Sequence, residues 1–218
     1  MDELAQLLSE LVAINSINPD LTPDAPGEGE IAGFIASWLE RAGLEVFVHE
    51  VRPGRPNVVG IARGSGGGKT LLLNGHIDTV GVSGMRAPHQ PRRVGDRLYG
   101  RGAYDMKAGV AACLLAAAAA RQEKLRGDLL VTAVMDEEYA GIGTMDLAER
   151  YRADAAIIAE PTELQLIVAH KGFVWLELET TGVAAHGSRP DLGLDAIAKM
   201  GPVLVAVDDV QWLDKATL

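Results

Sequence analysis

Residues 71–80 read LLLNGHIDTV, an apolar run that breaks into a His-x-Asp pair. Three consecutive leucines, Leu71 to Leu73, fit a strand covered on both faces, since a half-solvated strand would alternate. Gly75 is expected to let the backbone turn just before His76. Two residues apart on an extended chain, His76 and Asp78 project to one side, so Asp78 can accept from one imidazole nitrogen while the other faces a metal. A buried strand that delivers polar side chains at its carboxyl end points to the rim of an open α/β sheet.

Upstream, Leu4, Leu7, Leu8, Leu11 and Val12 fall at helical spacing within residues 2–14, and Asn18-Pro19 closes that segment. A second helix is expected over 31–42, with Ile31, Phe34, Ile35, Trp38 and Leu39 on one face and Gly43 as its C-terminal cap. Strands follow at 45–51 and 58–62. The glycine-rich GSGGGKT at 64–70 is no phosphate-binding loop, because Arg63 stands where that pattern needs glycine and a strand, not a helix, follows Lys69. It reads as a flexible strand-to-strand turn.

Downstream, Gly95-Asp96 centres a hairpin over 92–99, and GRGAYDMKAG at 100–109 opens a helix that runs through Ala120. Gly100-x-Gly102 is not a dinucleotide fingerprint, since Asp105 occupies the third glycine position. A strand at 129–135 ends in Asp136, Glu137 and Glu138. A helix at 144–151 leads to a strand at 155–159, which ends in Glu160-Pro161. Polar residues thus recur at strand carboxyl ends, and the fold class is α/β: a mixed, largely parallel sheet flanked by helices.

The 218 residues are 48% apolar, enough for a packed core, and carry a formal charge of −10, which argues against nucleic acid or an anionic membrane as partner. Cys113 stands alone, excluding an internal disulfide framework and fitting the reducing cytoplasm. The opening MDELAQLL does not read as a basic leader, so no targeting segment is expected, and the apolar run at 110–120 is too short to span a bilayer.

Taken together, His76, Asp105, Glu137, Glu138 and Glu160 supply one imidazole and four carboxylates at the ends of consecutive elements, the inventory of a carboxylate-bridged two-metal site. GHIDTV at 75–80, GRGAYDMKAG at 100–109, MDEEYAGIGT at 135–144, EPT at 160–162 and AAHGSRP at 184–190 resemble, in order, the motifs of the M20 metallopeptidases. That family includes acetylornithine deacetylases, succinyl-diaminopimelate desuccinylases, aminoacylases and glutamate carboxypeptidases. The resemblance implies a zinc exopeptidase-like catalytic domain over 1–171 and, over 172–218, the beginning of an inserted α+β lid and dimerisation domain hinged at Lys171-Gly172.

By the same resemblance His76 and Glu160 bind one zinc, Glu138 binds a second and Asp105 bridges both, with cobalt a possible substitute. Asp105 would precede a cis peptide bond. Asp78 and Glu137 would be catalytic, Glu137 as general acid and base. His186 would steady the reaction's oxyanion from the lid of a neighbouring protomer, in a homodimer that cleaves the amide bond of a small N-acyl amino acid or peptide. Relatives continue past residue 218 and supply a further histidine to the Glu138 site, so the chain is expected to be C-terminally truncated. The alternatives are a one-metal hydrolase on His76, Asp105 and Glu160, a catalytically impaired fragment, or a non-catalytic binding protein of the same fold. His49, His89 and His170 lack such contexts and read as structural or exposed.

Overall fold

Helix α1 (Glu3–Ala13) begins where the Asp2 carboxylate accepts from the Ala5 backbone N–H at 2.7 Å, and it buries Leu7, Leu11 and Val12. This is the computed structural model of the chain, which describes residues 2–169 and 176–208. Helix α2 (Gly29–Arg41) buries Ile31, Ile35 and Leu39 of the face expected of it, while Phe34 and Trp38 are half-buried. It ends at Gly43, whose φ of 82° is left-handed, while Leu44 N–H closes back on Leu39 O at 3.1 Å.

Among the described residues, the strands are β1 (Glu45–Arg52), β2 (Arg55–Ala62), β3 (Leu71–His76), β4 (Arg92–Val94), β5 (Arg97–Tyr99), β6 (Leu129–Val134) and β7 (Ala155–Ile158). Five of them form one sheet in the order β1-β2-β6-β3-β7, and β4 and β5 form the expected separate hairpin. Pairing is parallel for β3 with β6 and with β7, and antiparallel for β2 with β1 and with β6. Only β2 runs against the other four, which is the mixed, largely parallel sheet expected.

Helix α3 (Lys107–Gln122) connects β3 to β6, and α4 (Ile142–Arg150) connects β6 to β7. One face of the sheet packs on α1, α2 and α3 around Leu11, Ile35, Leu39, Val58 and Leu114. The other is covered more thinly, by Leu147 of α4 and Tyr151 against Val59, Ile61, Leu130 and Val134. Each fully buried leucine or isoleucine contributes about 1.5–3 kcal/mol of transfer free energy, so the first face carries most of the stability. Because the chain leaves β3 for β6 on one side and later returns to β7 on the other, the sheet has a switch point at the carboxyl end of β3.

Three local expectations change. Gly75 does not make a turn: it lies inside β3, and a Cβ there would come within 2.9 Å of both Met106 and Val110, so glycine is needed to admit α3 and its preceding loop. Residues 100–106 are turns, and α3 starts only at Lys107. The 64–70 segment joins strands that are not neighbours and is tied down, with Ser65 N–H donating to Leu125 O and Gly66 N–H to Arg126 O.

The chain divides into two compact units, Met1–Leu164 and Gln165–Leu218. The second contains a 3₁₀ turn (Pro190–Leu192) and helix α5 (Ala196–Asp208), close to the helix expected at 195–207, with Pro202 inside it. The strand expected at 173–180 lies partly outside the described residues, and 176–180 are not in a strand. The Lys171-Gly172 hinge is outside them altogether. Among the described residues, no helix is long and apolar enough to cross a membrane.

Candidate metal centre

His76 is the last residue of β3, Glu137 and Glu138 follow β6, Glu160 follows β7, and Asp105 sits in the turn before α3. Parallel pairing of β3 with both neighbours brings these strand ends to one rim. The His76 Nε2 lies 3.0 Å from Asp105 Oδ1, 3.7 Å from Glu160 Oε1 and 3.8 Å from Glu137 Oε2. Among the described residues, two donor sets have ligating atoms all within 4.8 Å of one another: His76, Glu137 and Glu160, and His76, Asp105 and Glu138. All five residues singled out from the sequence therefore converge. Their grouping differs from the implied one in that Glu137 enters a donor set and both sets share His76. The peptide bond from Asp105 to Met106 is cis.

The other ring nitrogen of His76, Nδ1, is 3.0 Å from the Asp78 backbone carbonyl and 3.4 Å from the Asp78 carboxylate. The carbonyl is therefore the nearer acceptor, a modification of the expected carboxylate clamp. The Asp78 carboxylate instead accepts from the backbone N–H groups of Glu137 at 3.0 Å and Glu138 at 3.1 Å, and from Asn18 Nδ2 at 2.8 Å. Asp78 thus ties the His76 strand end to the loop that carries two of the acids.

Burial alone would lower the pKa of His76, but the carboxylates of Asp105 and Asp78, with Glu160, override it and push the ring to about 11. Glu138 is raised to about 7, first by burial and then by Asp105, Asp78 and Glu137, although His76 opposes them. Acids crowded around one imidazole leave a demand for positive charge. An imidazole nitrogen with carboxylate oxygens is also the donor set of zinc and similar divalent ions, so the residues present fit a metal.

Sequence reasoning missed what lies behind this rim. Arg55 pairs with Glu28 through two hydrogen bonds of 2.7 Å, reaches Asp20 and Asp136, and donates to Asn18 Oδ1 at 3.1 Å. Asn18 Nδ2 donates also to Asp136 Oδ1 at 3.1 Å. Asn18, Glu28, Asp78 and Asp136 are all fully buried. The one available signal was Asn18-Pro19, which reads only as a helix stop. Lys107, two residues after Asp105, is likewise fully buried and donates to the carbonyls of Leu11 and Ile14 at the end of α1.

His186 lies in the second unit. Its Nδ1 accepts from the Ser188 backbone N–H at 3.2 Å and lies 2.9 Å from the Ser188 hydroxyl. His49 contacts the Tyr151 hydroxyl at 2.7 Å in a structural role.

A family model described as Peptidase family M20/M25/M40 matches residues 72–216. An acetylornithine deacetylase of Vibrio cholerae is 34% identical over 203 residues, covering 90% of this chain and 53% of the relative. N-formyl-4-amino-5-aminomethyl-2-methylpyrimidine deformylase of Bacillus subtilis is 31% identical over 229 residues, covering 96% of this chain and 53% of that protein. Among solved structures, an M20 family metallo-carboxypeptidase from Sulfolobus solfataricus matches with a TM-score of 0.63 at 25% identity, covering 73% of this chain and 37% of that one. The chain spans about half the length of the curated relatives it matches.

Proposed function

The chain belongs to peptidase family M20/M25/M40, and on that premise we propose that its first unit carries the metal centre of a hydrolase cleaving an amide bond in a small N-acyl amino acid or peptide. The carrying observation is the convergence of His76, Asp105, Glu137, Glu138 and Glu160 at adjoining strand ends. The relatives named as deacetylase, deformylase and carboxypeptidase all break an amide C–N bond.

In this reading His76, Glu160 and Asp105 would hold one divalent ion and Glu138 with Asp105 a second, zinc being the metal proposed and cobalt a workable substitute. The chemistry that such ions supply when bound is Lewis acidity toward the scissile carbonyl and a lowered pKa for a water. The remaining work belongs to side chains. With Nδ1–H directed at the Asp78 carbonyl, His76 presents the Nε2 lone pair as ligand. Asp78, by gripping the Glu137 and Glu138 amides, sets where both carboxylates stand. Glu137 accepts a proton from the attacking water as its oxygen bonds to the carbonyl carbon. It then returns that proton to the departing nitrogen as the C–N bond breaks. The role follows the family motif, and Glu137 Oε2 lies 3.8 Å from His76 Nε2.

The second unit is proposed to begin an inserted lid and dimerisation domain, from which His186 serves the site of a neighbouring protomer. The lone, buried Cys113 favours a reducing, cytoplasmic setting. The test is to strip the purified chain of metal, titrate zinc, and assay N-acetyl amino acids and short peptides. Zinc uptake lost in His76→Ala, with zinc-dependent amide cleavage, is the expected result; a chain that takes up no zinc overturns the reading.

A further inference from the structure

Behind the rim, the chain makes an unusual use of a loop far away in sequence. Asn18 is fully buried, and its carboxamide is used on both ends: Nδ2 donates to Asp78 at 2.8 Å and to Asp136 at 3.1 Å, while Oδ1 accepts from Arg55 at 3.1 Å and from the Asp20 backbone N–H at 2.9 Å. These partners fix which end is nitrogen, because a flipped amide would set its oxygen against two carboxylates and its NH₂ against a guanidinium. The backbone holds the residue in place too. Ile17 bridges to Thr79, Asn18 N–H donates to Thr79 O at 2.9 Å, and Thr79 N–H donates to Ser16 O at 3.0 Å.

We infer that Asn18 is a positioning residue of the metal centre: with Arg55 behind it, its carboxamide fixes the Asp78 carboxylate, from which the Glu137 and Glu138 amides are held, on the residue whose backbone carbonyl accepts from the His76 ring. Asp78 offers about four lone-pair directions. Three are met by Asn18, Glu137 and Glu138, and the fourth is directed at His76 Nδ1 3.4 Å away. Losing the Asn18 donor leaves a sealed carboxylate one hydrogen bond short, and the remaining partners can satisfy it only by shifting. Those partners are the residues that present the proposed ligands and base.

The side-chain type is also dictated. Aspartate would add a third carboxylate beside Asp78 and Asp136, leucine would offer neither donor nor acceptor, and glutamine would carry the amide one methylene too far. Arg55 meanwhile polarises the amide from its oxygen side, strengthening the bond to Asp78.

This inference rests on the metal-dependent reading, and the experiment separates their failures. Cobalt(II) is titrated into the metal-free 218-residue chain while visible absorption is followed, for the wild type, Asn18→Ala, Asn18→Ser and the core variant Ile35→Ala. Thermal unfolding of each metal-free protein is recorded alongside. Asn18→Ala is expected to weaken cobalt binding about 10- to 100-fold, the usual effect of losing a partner behind a metal ligand, and to alter the absorption bands. Asn18→Ser, which keeps one short donor, should fall between and carries the test if the alanine variant does not fold. Ile35→Ala should lose thermal stability with affinity and bands unchanged. Cobalt binding by the wild type that is the same in both Asn18 variants overturns the inference alone, as does an equal loss of affinity in Ile35→Ala. A wild type that binds no cobalt overturns the metal reading and this inference with it.

Discussion

Asp78 and Asp136 are sealed from solvent, each accepting several hydrogen bonds from neighbours that are themselves buried or half-buried. Asp105 and Glu137, close to them in space or sequence, keep 55% and 42% of their side chains exposed, and Glu160 keeps 33%. The first set shares the Asn18 amide, with Arg55 paired to Asp136 and bonded to Asn18; the second gathers around one imidazole. The difference separates acids bonded into the interior from acids left open at the His76 rim, where the proposed metal would bind. It also shows why the buried set belongs to the site, since Asp78 touches both groups.

Disturbing each set should therefore have opposite consequences. The largest effect expected is on rate. Glu137→Gln keeps the shape of the side chain but not its basicity, so zinc-dependent amide hydrolysis should fall about 10²- to 10⁴-fold while zinc content and unfolding midpoint stay as they were. Retained activity would place the base elsewhere, and lost zinc would make Glu137 a ligand, as its place in one donor set allows.

On the buried side, Arg55→Met leaves Glu28 and Asp136 without their cation, and urea unfolding should show a loss of about 3–5 kcal/mol. Glu160→Gln, in the open set, should change the metal-free stability by less than about 0.5 kcal/mol. Equal losses in the two variants would erase the distinction.

A smaller effect is expected in pH dependence. His76, raised from 6.5 to about 11, stabilises the metal-free fold fully below pH 6.5 and loses that contribution as pH rises through its folded value. Lys107, lowered by burial from 10.5 to about 7, acts in the opposite sense, because between those values the unfolded chain binds the extra proton. The two slopes oppose each other from about pH 7 to 10.5 in the wild type. In Lys107→Met the His76 slope stands alone, and stability should fall with rising pH by up to about 1.4 kcal/mol per unit. Denaturant titrations at pH 7, 8 and 9 measure it; a flat profile in the variant contradicts the opposition.

Much of the open set was legible in the sequence because each acid ends an apolar strand or follows a glycine-rich turn, and periodicity locates strand ends. The alternation of elements likewise gave the sheet and its flanking helices. The buried set was not legible. Asn18 sits in a proline-bearing loop, Arg55 opens β2 just after the Gly54 turn and Glu28 precedes α2, so no local pattern marks any of them as interior. Their side-chain partners are 27 to 118 residues distant in sequence, and only the packed fold brings them together. Gly75 was misread for a related reason: its neighbour Met106 is 31 residues on, and a glycine that admits a distant side chain looks locally like one that turns the chain.

The central claim is that His76 presents Nε2, and the open acids their oxygens, to a divalent ion. A crystal structure of the zinc-loaded chain with anomalous data collected across the zinc edge tests it most directly. The account predicts an anomalous peak about 2.0–2.2 Å from His76 Nε2 and from carboxylate oxygens of Asp105 and Glu160, with Asp78 still bound to Asn18 and to the Glu137 and Glu138 amides. Fully zinc-equilibrated crystals with no peak at the His76 rim, or with His76 bonded only to Asp105, would contradict it.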